Sequence, residues 1–211
     1  APMTSGRKVD YIPSRKIVIP VNRENVIKYG IMDAKYAEQI PDSIVFTISK
    51  DKDYLSKPEL FLLDLLSGYQ WDRPLHLLNM GGDLNVGIKE YLEYCGYSFK
   101  FVPVKNKTTT TEAGFVDTDE LYRRMTQVYS WDALARDDYF IDYQNMYTHL
   151  GVMSVRGLFV TSAEAFMKAG ENDRALEMLD KCCEVMQHYP LETVPVGFSG
   201  NDYMGFPVGG G

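Results

Sequence analysis

Apolar and polar positions follow two different periods along the chain. In the first half, short runs rich in β-branched residues, such as Lys16–Val21 and Ser43–Ile48, alternate with helical patterns. In the second half, apolar residues recur every three or four positions, which is the period of helices packed on one side. The pattern predicts an α+β or α/β fold, with a small mixed sheet and flanking helices, followed by a tetratricopeptide-like helical hairpin region.

The first half contains the predicted sheet. Pro20 places the first strand at an edge, because proline has no N–H to donate. Ser56 is a suitable N-cap for a helix that is apolar on most sides, so we expect that helix to be buried. The predicted strands are Lys16–Val21, Ser43–Ile48, Arg73–Asn79 and Tyr97–Val104, and the predicted helices are Asn22–Tyr29, Ser56 to about Leu66, and Leu84–Cys95.

The domain organisation follows from a polar stretch in the middle of the chain. The segment KNKTTTTEA at residues 105–113 is poor in core residues and is typical of a linker. We expect a loose leader at 1–14, an α/β layer region at 15–105, a linker at 106–114 and a helical region at 115–211. Because a helical repeat normally ends with a capping helix, we expect the last region to be truncated at its C-terminus.

The helical region carries the spacing of a tetratricopeptide-type hairpin. Large, small and turn residues succeed one another in the order that two antiparallel helices need: Phe159, Ala163, Phe166, Gly170, Ala175, Leu179 and Cys182. Such hairpins are binding scaffolds, so we expect exposed aromatic side chains, Phe166 among them, to line a groove for a partner. A simple helical pair that belongs to the core is the alternative.

A glycine-rich turn is the first candidate ligand site. Gly81 and Gly82 lie between a predicted strand and a predicted helix, where free backbone N–H groups can hold a phosphate. The pattern falls short of the nucleotide-binding fingerprints, and Asp83 suits a helix N-cap. A capped turn is therefore the favoured interpretation, and a phosphorylated or sugar-nucleotide ligand at Gly81-Gly82 is the rival.

Arg73 is the second candidate. It follows Trp71-Asp72 at the head of a predicted strand, where a guanidinium can bind a carboxylate or phosphate with two hydrogen bonds. It can equally form an ion pair with Asp64. We favour the pair with Asp64, because Trp71 predicts a packed corner.

Other chemistry-bearing residues are scattered. The acids Asp132, Asp137, Asp138 and Asp142 lack the spacing of a calcium loop, and His76, His149 and His188 lack a metal-binding pattern. Cys95, Cys182 and Cys183 form neither a disulfide framework nor a zinc motif, so we interpret them as small core residues. The sequence predicts no cofactor, no metal and no catalytic residue in this chain.

The charge excludes one class of partner. The chain has 22 Lys and Arg against 29 Asp and Glu, a net charge of −7. An acidic surface repels phosphate backbones, so we expect no nucleic-acid binding. There is also no apolar stretch long enough to cross a bilayer, so we expect no direct membrane insertion of this part.

Several motifs in the same order resemble one bacterial family of multi-spanning membrane proteins of unknown function. The run KPELFLLDLLSGYQWDRPLHL at Lys57–Leu77 looks like a hallmark of that family. Further similar stretches are Tyr91–Val104, Asp117–Trp131 and Arg156–Cys182. This sequence departs from the pattern at His76, where the family often has an aromatic residue, and in its early stop at Gly211.

The family resembles protein O-mannosyltransferase-type glycosyltransferases. The resemblance implies that this chain is the C-terminal region of such a protein, at the periplasmic face of the inner membrane, with the catalytic acid in the membrane portion. We therefore expect a non-catalytic domain that docks onto the membrane portion of the same polypeptide or presents an acceptor protein. The rivals are a free-standing enzyme or binding protein at Gly81-Gly82, and an independent tetratricopeptide adaptor.

Overall fold

A computed structural model of the chain describes residues 3–4, 7–8, 12, 14–78, 86–105, 114–140 and 152–188. The chain divides into two compact units, one made of Ala1–Tyr94 and Ser98–Phe115, the other of Cys95–Tyr97 and Val116–Gly211. Small antiparallel sheets and several helices, with a helical hairpin near the C-terminus, confirm the predicted α+β class. The domain limits drawn from the sequence stay predictions.

The first unit pairs its strands locally. The strands β1 and β2 form one antiparallel pair, β3 and β4 a second, and β5, β7 and β6 a three-stranded sheet in that order. The predicted leader thus contains the short pair β1–β2. The elements are β1 (Met3–Thr4), β2 (Arg7–Lys8), β3 (Lys16–Pro20), α1 (Arg23–Lys28), a 3-10 helix (Ala34–Gln39), β4 (Ser43–Thr47), α2 (Lys57–Ser67), β5 (His76–Leu77), a 3-10 turn (Lys89–Tyr91), β6 (Leu92–Tyr94) and β7 (Phe99–Phe101).

Side chains bond to backbone groups on both outer edges of the β3–β4 pair. The two strands alternate buried and exposed positions, with Ile44 and Phe46 of β4 inside. On the β4 side, the Tyr91 hydroxyl accepts from the Val45 N–H at 3.3 Å and donates to the Val45 carbonyl at 3.0 Å. On the β3 side, Trp71 Nε1 donates to the Pro20 carbonyl at 2.8 Å. The predicted first strand, helix and second strand are confirmed within a residue or two.

The core of the first unit centres on an aromatic cluster. Trp71 is fully buried, its ring stacks on Phe101 with centroids 5.2 Å apart, and Tyr69 lies 4.8 Å away. This confirms the predicted packed corner. Trp71 adopts a left-handed backbone conformation with φ 57°, which is uncommon for a bulky residue and persists only where packing dictates it. Burial also raises the pKa of Tyr69 to about 12. The remaining core includes Ile19, Val26, Ile31, Ile40, Leu62, Leu66, Val86, Ile88 and Leu92.

The predicted helix Leu84–Cys95 is wrong in its described part. Residues 89–91 form a 3-10 turn, and Leu92–Tyr94 form β6, which pairs with β7. Consecutive side chains of β6 are all buried, so both of its sides are covered. The apolar residues around Leu92 suit a buried strand as well as a helix, and the pairing with β7, which local spacing cannot show, decides between them. The predicted strand Arg73–Asn79 is reduced to β5.

The second unit is helical. Its elements are α3 (Thr118–Arg123), a π-helical turn (Arg124–Val128), α4 (Asp132–Ala135), α5 (Val152–Ala169) and α6 (Asn172–Val185). The predicted N-cap is confirmed, because the Asp117 carboxylate accepts from the Glu120 N–H at 3.2 Å. Helices α5 and α6 pack together, and α3 contacts α5 while α4 contacts α6. The predicted helical hairpin is therefore confirmed over its described residues.

A tight turn at Gly170 joins the two helices of the hairpin. The Glu171 N–H donates to the Phe166 carbonyl at 2.9 Å, and the Gly170 N–H donates to the Met167 carbonyl at 3.0 Å. These two hydrogen bonds define a Schellman motif, which needs its penultimate residue in the left-handed region. Gly170 has φ 81°, which glycine adopts without the steric cost of a Cβ.

Candidate interaction surfaces

Of the predicted ligand residues of the first unit, Arg73 is the one that lies in the described part of the chain. Gly81 and Gly82 lie outside the described residues, so a ligand there stays a prediction. Arg73 is exposed, and its Nε lies 3.8 Å from the carboxylate of Asp72. The expected partner Asp64 was wrong, because Asp64 lies on the solvent side of α2 and the neighbouring acid is nearer. The backbone of Arg73 stabilises the packed corner at Trp71, because its carbonyl accepts a hydrogen bond from the Tyr69 hydroxyl at 2.5 Å.

Phe166 is a core residue, which corrects the expectation that it is exposed. It is fully buried, and its ring meets the edge of Tyr122 at 6.1 Å between centroids. Phe159, Ala163 and Phe166 are separated by four and three positions, so they lie on one side of α5, and all three are buried. The hairpin spacing identified residues that hold the unit together, and the surface residues lie elsewhere.

The outer side of α2 carries an exposed apolar surface. Leu60 is 52% exposed and Phe61 69%, and Tyr54 in the preceding loop is 71% exposed. We call these three side chains the α2 face. Helix α2 buries Leu62 and Leu66 on its opposite side, so the expectation of a helix buried all round was wrong. The signal was present in the sequence, because Lys57 and Asp64 flank Leu60 and Phe61 on one helical stripe, and charged residues mark the solvent side.

A buried ion pair fixes the loop of Tyr54 to α2. Lys52 Nζ lies 2.8 Å from the Glu59 carboxylate, which is fully buried and also accepts from the Ser56 N–H at 2.8 Å. Burial by itself raises the pKa of Glu59, but the hydrogen bonds from Lys52 and Ser56 outweigh it and hold the pKa below its ordinary value. The same ammonium lies 5.9 Å from the Tyr54 ring centroid. These contacts thus tie the loop that carries Tyr54 to helix α2.

A second apolar surface lies on the hairpin. Four side chains of α5 and α6 are each at least 40% exposed: Val160, Met167, Leu176 and Leu179. We call them the hairpin face. Cys183, one turn beyond Leu179, is also exposed, while Cys182 is buried and its burial raises the pKa of its thiol. The expectation that all three cysteines are core residues is therefore wrong for Cys183.

An ionic network ties α3 to the start of α6. Arg174 Nη1 lies 3.0 Å from the Asp119 carboxylate and 2.8 Å from that of Glu171, and its guanidinium lies 4.7 Å from the centroid of the Tyr122 ring. The Tyr122 hydroxyl donates to Glu177 at 2.7 Å. Asp119, Glu171 and Arg174 line an open depression beside Gly170. Because the arginine is satisfied by acids of its own unit, the network serves packing within the unit.

The described residues offer little for catalysis or metal binding. No group of three or more His, Cys, Asp and Glu side chains within them is arranged to hold a metal ion. Asp138 takes two hydrogen bonds from Arg136, which lower its pKa, and His149 and Asp142 are outside the described part. His76 Nδ1 lies 2.9 Å from the Ser98 hydroxyl on the open surface, where water solvates both groups. Sequence spacing gave no hint of that contact, which β5–β7 pairing creates.

The comparisons with known proteins point to a membrane-associated family. The family model of TMEM260-associated domain 2 matches residues 1–120, a stretch that includes the α2 face. No curated protein and no solved structure matches the chain. Among the described helices, none combines the length and the apolar character that a bilayer-spanning segment requires.

Proposed function

This chain belongs to the TMEM260-associated domain 2 family, and we propose that it is a non-catalytic extracytoplasmic domain that docks onto the membrane portion of the same polypeptide. The observation that carries the proposal is the α2 face, which puts three large apolar side chains on the surface of the family-matched stretch. Contiguous apolar patches on a soluble unit mark interaction sites.

The energetics of the α2 face favour a covered state. Removing apolar surface from water stabilises an association by about 25 cal/mol per Å2. Three large side chains that are more than half exposed offer several hundred Å2, so covering them contributes several kcal/mol before the entropic cost of association. That cost is low when the partner belongs to the same polypeptide, because a short tether keeps the effective concentration high.

The charges around the α2 face favour a protein partner over a lipid surface. Lys57 and Asp64 flank Leu60 and Phe61 on the same helical stripe, so the charges beside the face balance, and the whole chain carries a net charge of −7. Surfaces that bind anionic lipid carry clustered lysines and arginines, and mixed charges on an acidic chain do not form such a cluster. The membrane portion of the parent protein is therefore the proposed occupant.

The resemblance to protein O-mannosyltransferase-type proteins extends this proposal. The hallmark run Lys57–Leu77 contains both α2 and the corner at Trp71, so the part that resembles the family also forms the exposed face. We propose that the parent is glycosyltransferase-like and that its catalytic acid lies in the membrane portion. In that case the present domain supports protein interaction or acceptor presentation on the periplasmic side.

Cysteine labelling of the parent protein tests the docking. Phe61→Cys is introduced in a Cys183→Ser background, and a maleimide is applied to the chain in solution and to the full-length protein in its membrane. Val18→Cys, on the exposed side of β3, is the matched control. We expect Phe61→Cys to react in the isolated chain and to be protected at least tenfold in the full-length protein, while Val18→Cys reacts in both.

The same labelling separates the possible outcomes. Protection that persists after the bilayer is replaced by detergent micelles supports contact with protein, and protection lost in detergent means that lipid covers the face. Equal labelling of Phe61→Cys in the isolated chain and in the full-length protein in its membrane contradicts the docking. A membrane-impermeant maleimide on intact cells reports the side, because Val18→Cys reacts only if the domain is extracytoplasmic.

A further inference from the structure

The hairpin face consists of two parallel apolar stripes. On α5, Val160 and Met167 are seven positions apart, which is two helical turns. On α6, Leu176 and Leu179 are three positions apart, and Cys183 extends the stripe by one more turn. Each stripe therefore has the period of a surface that packs against another helix.

Both stripes lie on the same side of the hairpin. Each residue of an α-helix advances the side-chain direction by about 100° around the axis. On both helices, this count places the exposed stripe roughly 100° from the centre of the buried side, in the direction in which the helix winds away from its N-terminus. The turn at Gly170 makes the two helices antiparallel. Because each stripe is offset from the buried side of its helix in the same winding direction, the two stripes of an antiparallel pair lie on the same side of the hairpin. The four side chains thus form one surface.

The rest of the hairpin is already used inside the unit. Phe159 and Phe166 of α5, and Met178 and Val185 of α6, are buried, and α3 and α4 pack against the two helices. In stacked helical repeats, one side of a hairpin packs on the preceding helices and the opposite side receives the next one. The hairpin face has the position of the receiving side.

Acidic residues border each stripe. Glu164 lies beside the α5 stripe, on the side further from the buried residues, and Asp180 lies beside the α6 stripe in the corresponding position. Both side chains are exposed. Neither carboxylate forms an ion pair with any residue in the described part of the chain. Their charge therefore remains available to a partner, and it disfavours both an acidic segment and an anionic membrane.

We propose that the hairpin face binds an amphipathic helix of a partner protein, one whose apolar side is flanked by lysine or arginine. The two stripes supply the apolar contact, and Glu164 and Asp180 pair with the basic flanks. The inference rests on the proposed interaction role, and it adds a second surface and the chemistry of its partner. A helix is the fitting occupant because the face offers helical ridges and no open strand.

Two designed helical peptides test the proposal. Both carry the same leucine stripe, one with lysine flanks and one with glutamate flanks, and their binding to the full chain is measured by fluorescence anisotropy. We expect the lysine peptide to bind at least tenfold more tightly than the glutamate peptide. Glu164→Gln with Asp180→Asn is expected to weaken the lysine peptide about three- to tenfold at low salt and to flatten its salt dependence.

Paired variants locate the binding. Met167→Ser with Leu176→Ser, one from each helix, is expected to weaken the lysine peptide tenfold or more, while Leu60→Ser with Phe61→Ser leaves its affinity unchanged. The four positions are exposed, so circular dichroism should report folded proteins in both cases. Unchanged binding in the first pair overturns the proposal and leaves docking through the α2 face intact.

Other occupants give different results. Binding of the wild type to phosphatidylglycerol vesicles, lost in Met167→Ser with Leu176→Ser, would assign the face to a lipid surface and overturn the proposal. Concentration-dependent dimerisation in sedimentation, lost in the same variant, would assign it to a second copy and overturn it too. A monomer that ignores vesicles and discriminates between the two peptides supports it.

Discussion

Removing the side chain of Trp71 should cost the first unit a large part of its stability. The ring is fully buried, stacks on Phe101 at 5.2 Å with an interplanar angle of 14°, and contacts Tyr69. Truncation of a buried aromatic residue to alanine costs about 3–5 kcal/mol. Domains of this size are stable by about 5–15 kcal/mol, so we expect Trp71→Ala to remove at least roughly a fifth of that free energy.

Further substitutions separate the contributions at this site. Trp71→Phe keeps most of the apolar contact but leaves the Pro20 carbonyl without its donor, which costs about 1–3 kcal/mol. A double-mutant cycle between Trp71→Ala and Phe101→Leu should give a coupling of about 0.5–1.5 kcal/mol for the ring pair. Trp71→Gly should be at least as stable as Trp71→Ala, because φ 57° strains alanine and not glycine.

Urea unfolding followed by far-ultraviolet circular dichroism measures these differences. This signal is preferable to fluorescence, because Trp71 is one of only two tryptophans in the chain. Midpoints and slopes are compared together, so that a change in the denatured state is recognised by its slope. A loss below about 1 kcal/mol in Trp71→Ala, or a coupling indistinguishable from zero, would refute the packing argument.

Three further predictions concern stability. Gly170→Ala should cost about 1 kcal/mol in urea unfolding, because the Schellman turn requires φ 81°, whereas Gly68→Ala, at negative φ with open space around it, should cost less. Hydrogen bonds from Arg123, and to a smaller extent from Arg124, lower the pKa of Glu120 from an ordinary 4.5 to about 2. The contribution of ionised Glu120 to the stability of the folded protein is therefore complete above pH 4.5 and is lost as the pH falls towards 2. Glu120→Gln should flatten that part of the pH–stability curve, and an unchanged curve would contradict the assignment. Glu93 and Lys100 form a buried ion pair at 2.8 Å. Glu93→Gln should lower the free energy of unfolding by about 3–5 kcal/mol, because the Lys100 charge then stays buried without its partner, while Glu93→Leu with Lys100→Leu should cost much less. Equal losses in the two variants would contradict this explanation.

Elements with a local signal were predictable from the sequence. The N-cap of α1 is Asn22, whose side chain accepts from the Asn25 N–H, and at the start of α2 the Glu59 carboxylate accepts from both the N–H and the hydroxyl of Ser56. Such caps depend on residues three positions apart, which a linear sequence displays. The hairpin followed from its period in the same way.

Elements decided by distant partners were not predictable in the same way. The apolar residues around Leu92 fit a helix or a strand, and only the pairing of β6 with β7 selects the strand. Periodicity also located the apolar sides of α2 and α5, but it cannot tell which of them another element covers. That is why Phe166 was expected to be exposed and α2 was expected to be buried, whereas Phe166 is buried and Leu60 and Phe61 of α2 are exposed.

The candidate site shares this limit. Arg73 and Phe166 were chosen for their chemical type, whereas the two exposed surfaces consist of leucines with one valine, one methionine, one phenylalanine and one tyrosine, whose type carries no signal. Their meaning depends on burial, which is a property of the fold and not of the residue. The charges beside them, Lys57 and Asp64 on α2 and Glu164 and Asp180 on the hairpin, were the local marks of the solvent side.

The side-chain hydrogen bonds at the edges of the β3–β4 ribbon also limit how copies of this protein can misassociate. A two-stranded ribbon offers its outer backbone groups to strands from other molecules, and such recruitment starts amyloid-like growth. Tyr91 occupies both backbone groups of Val45, Trp71 occupies the carbonyl of Pro20, and that proline has no N–H to donate. Loss of the Tyr91 hydroxyl would therefore expose a template for intermolecular strand pairing without removing any apolar core contact.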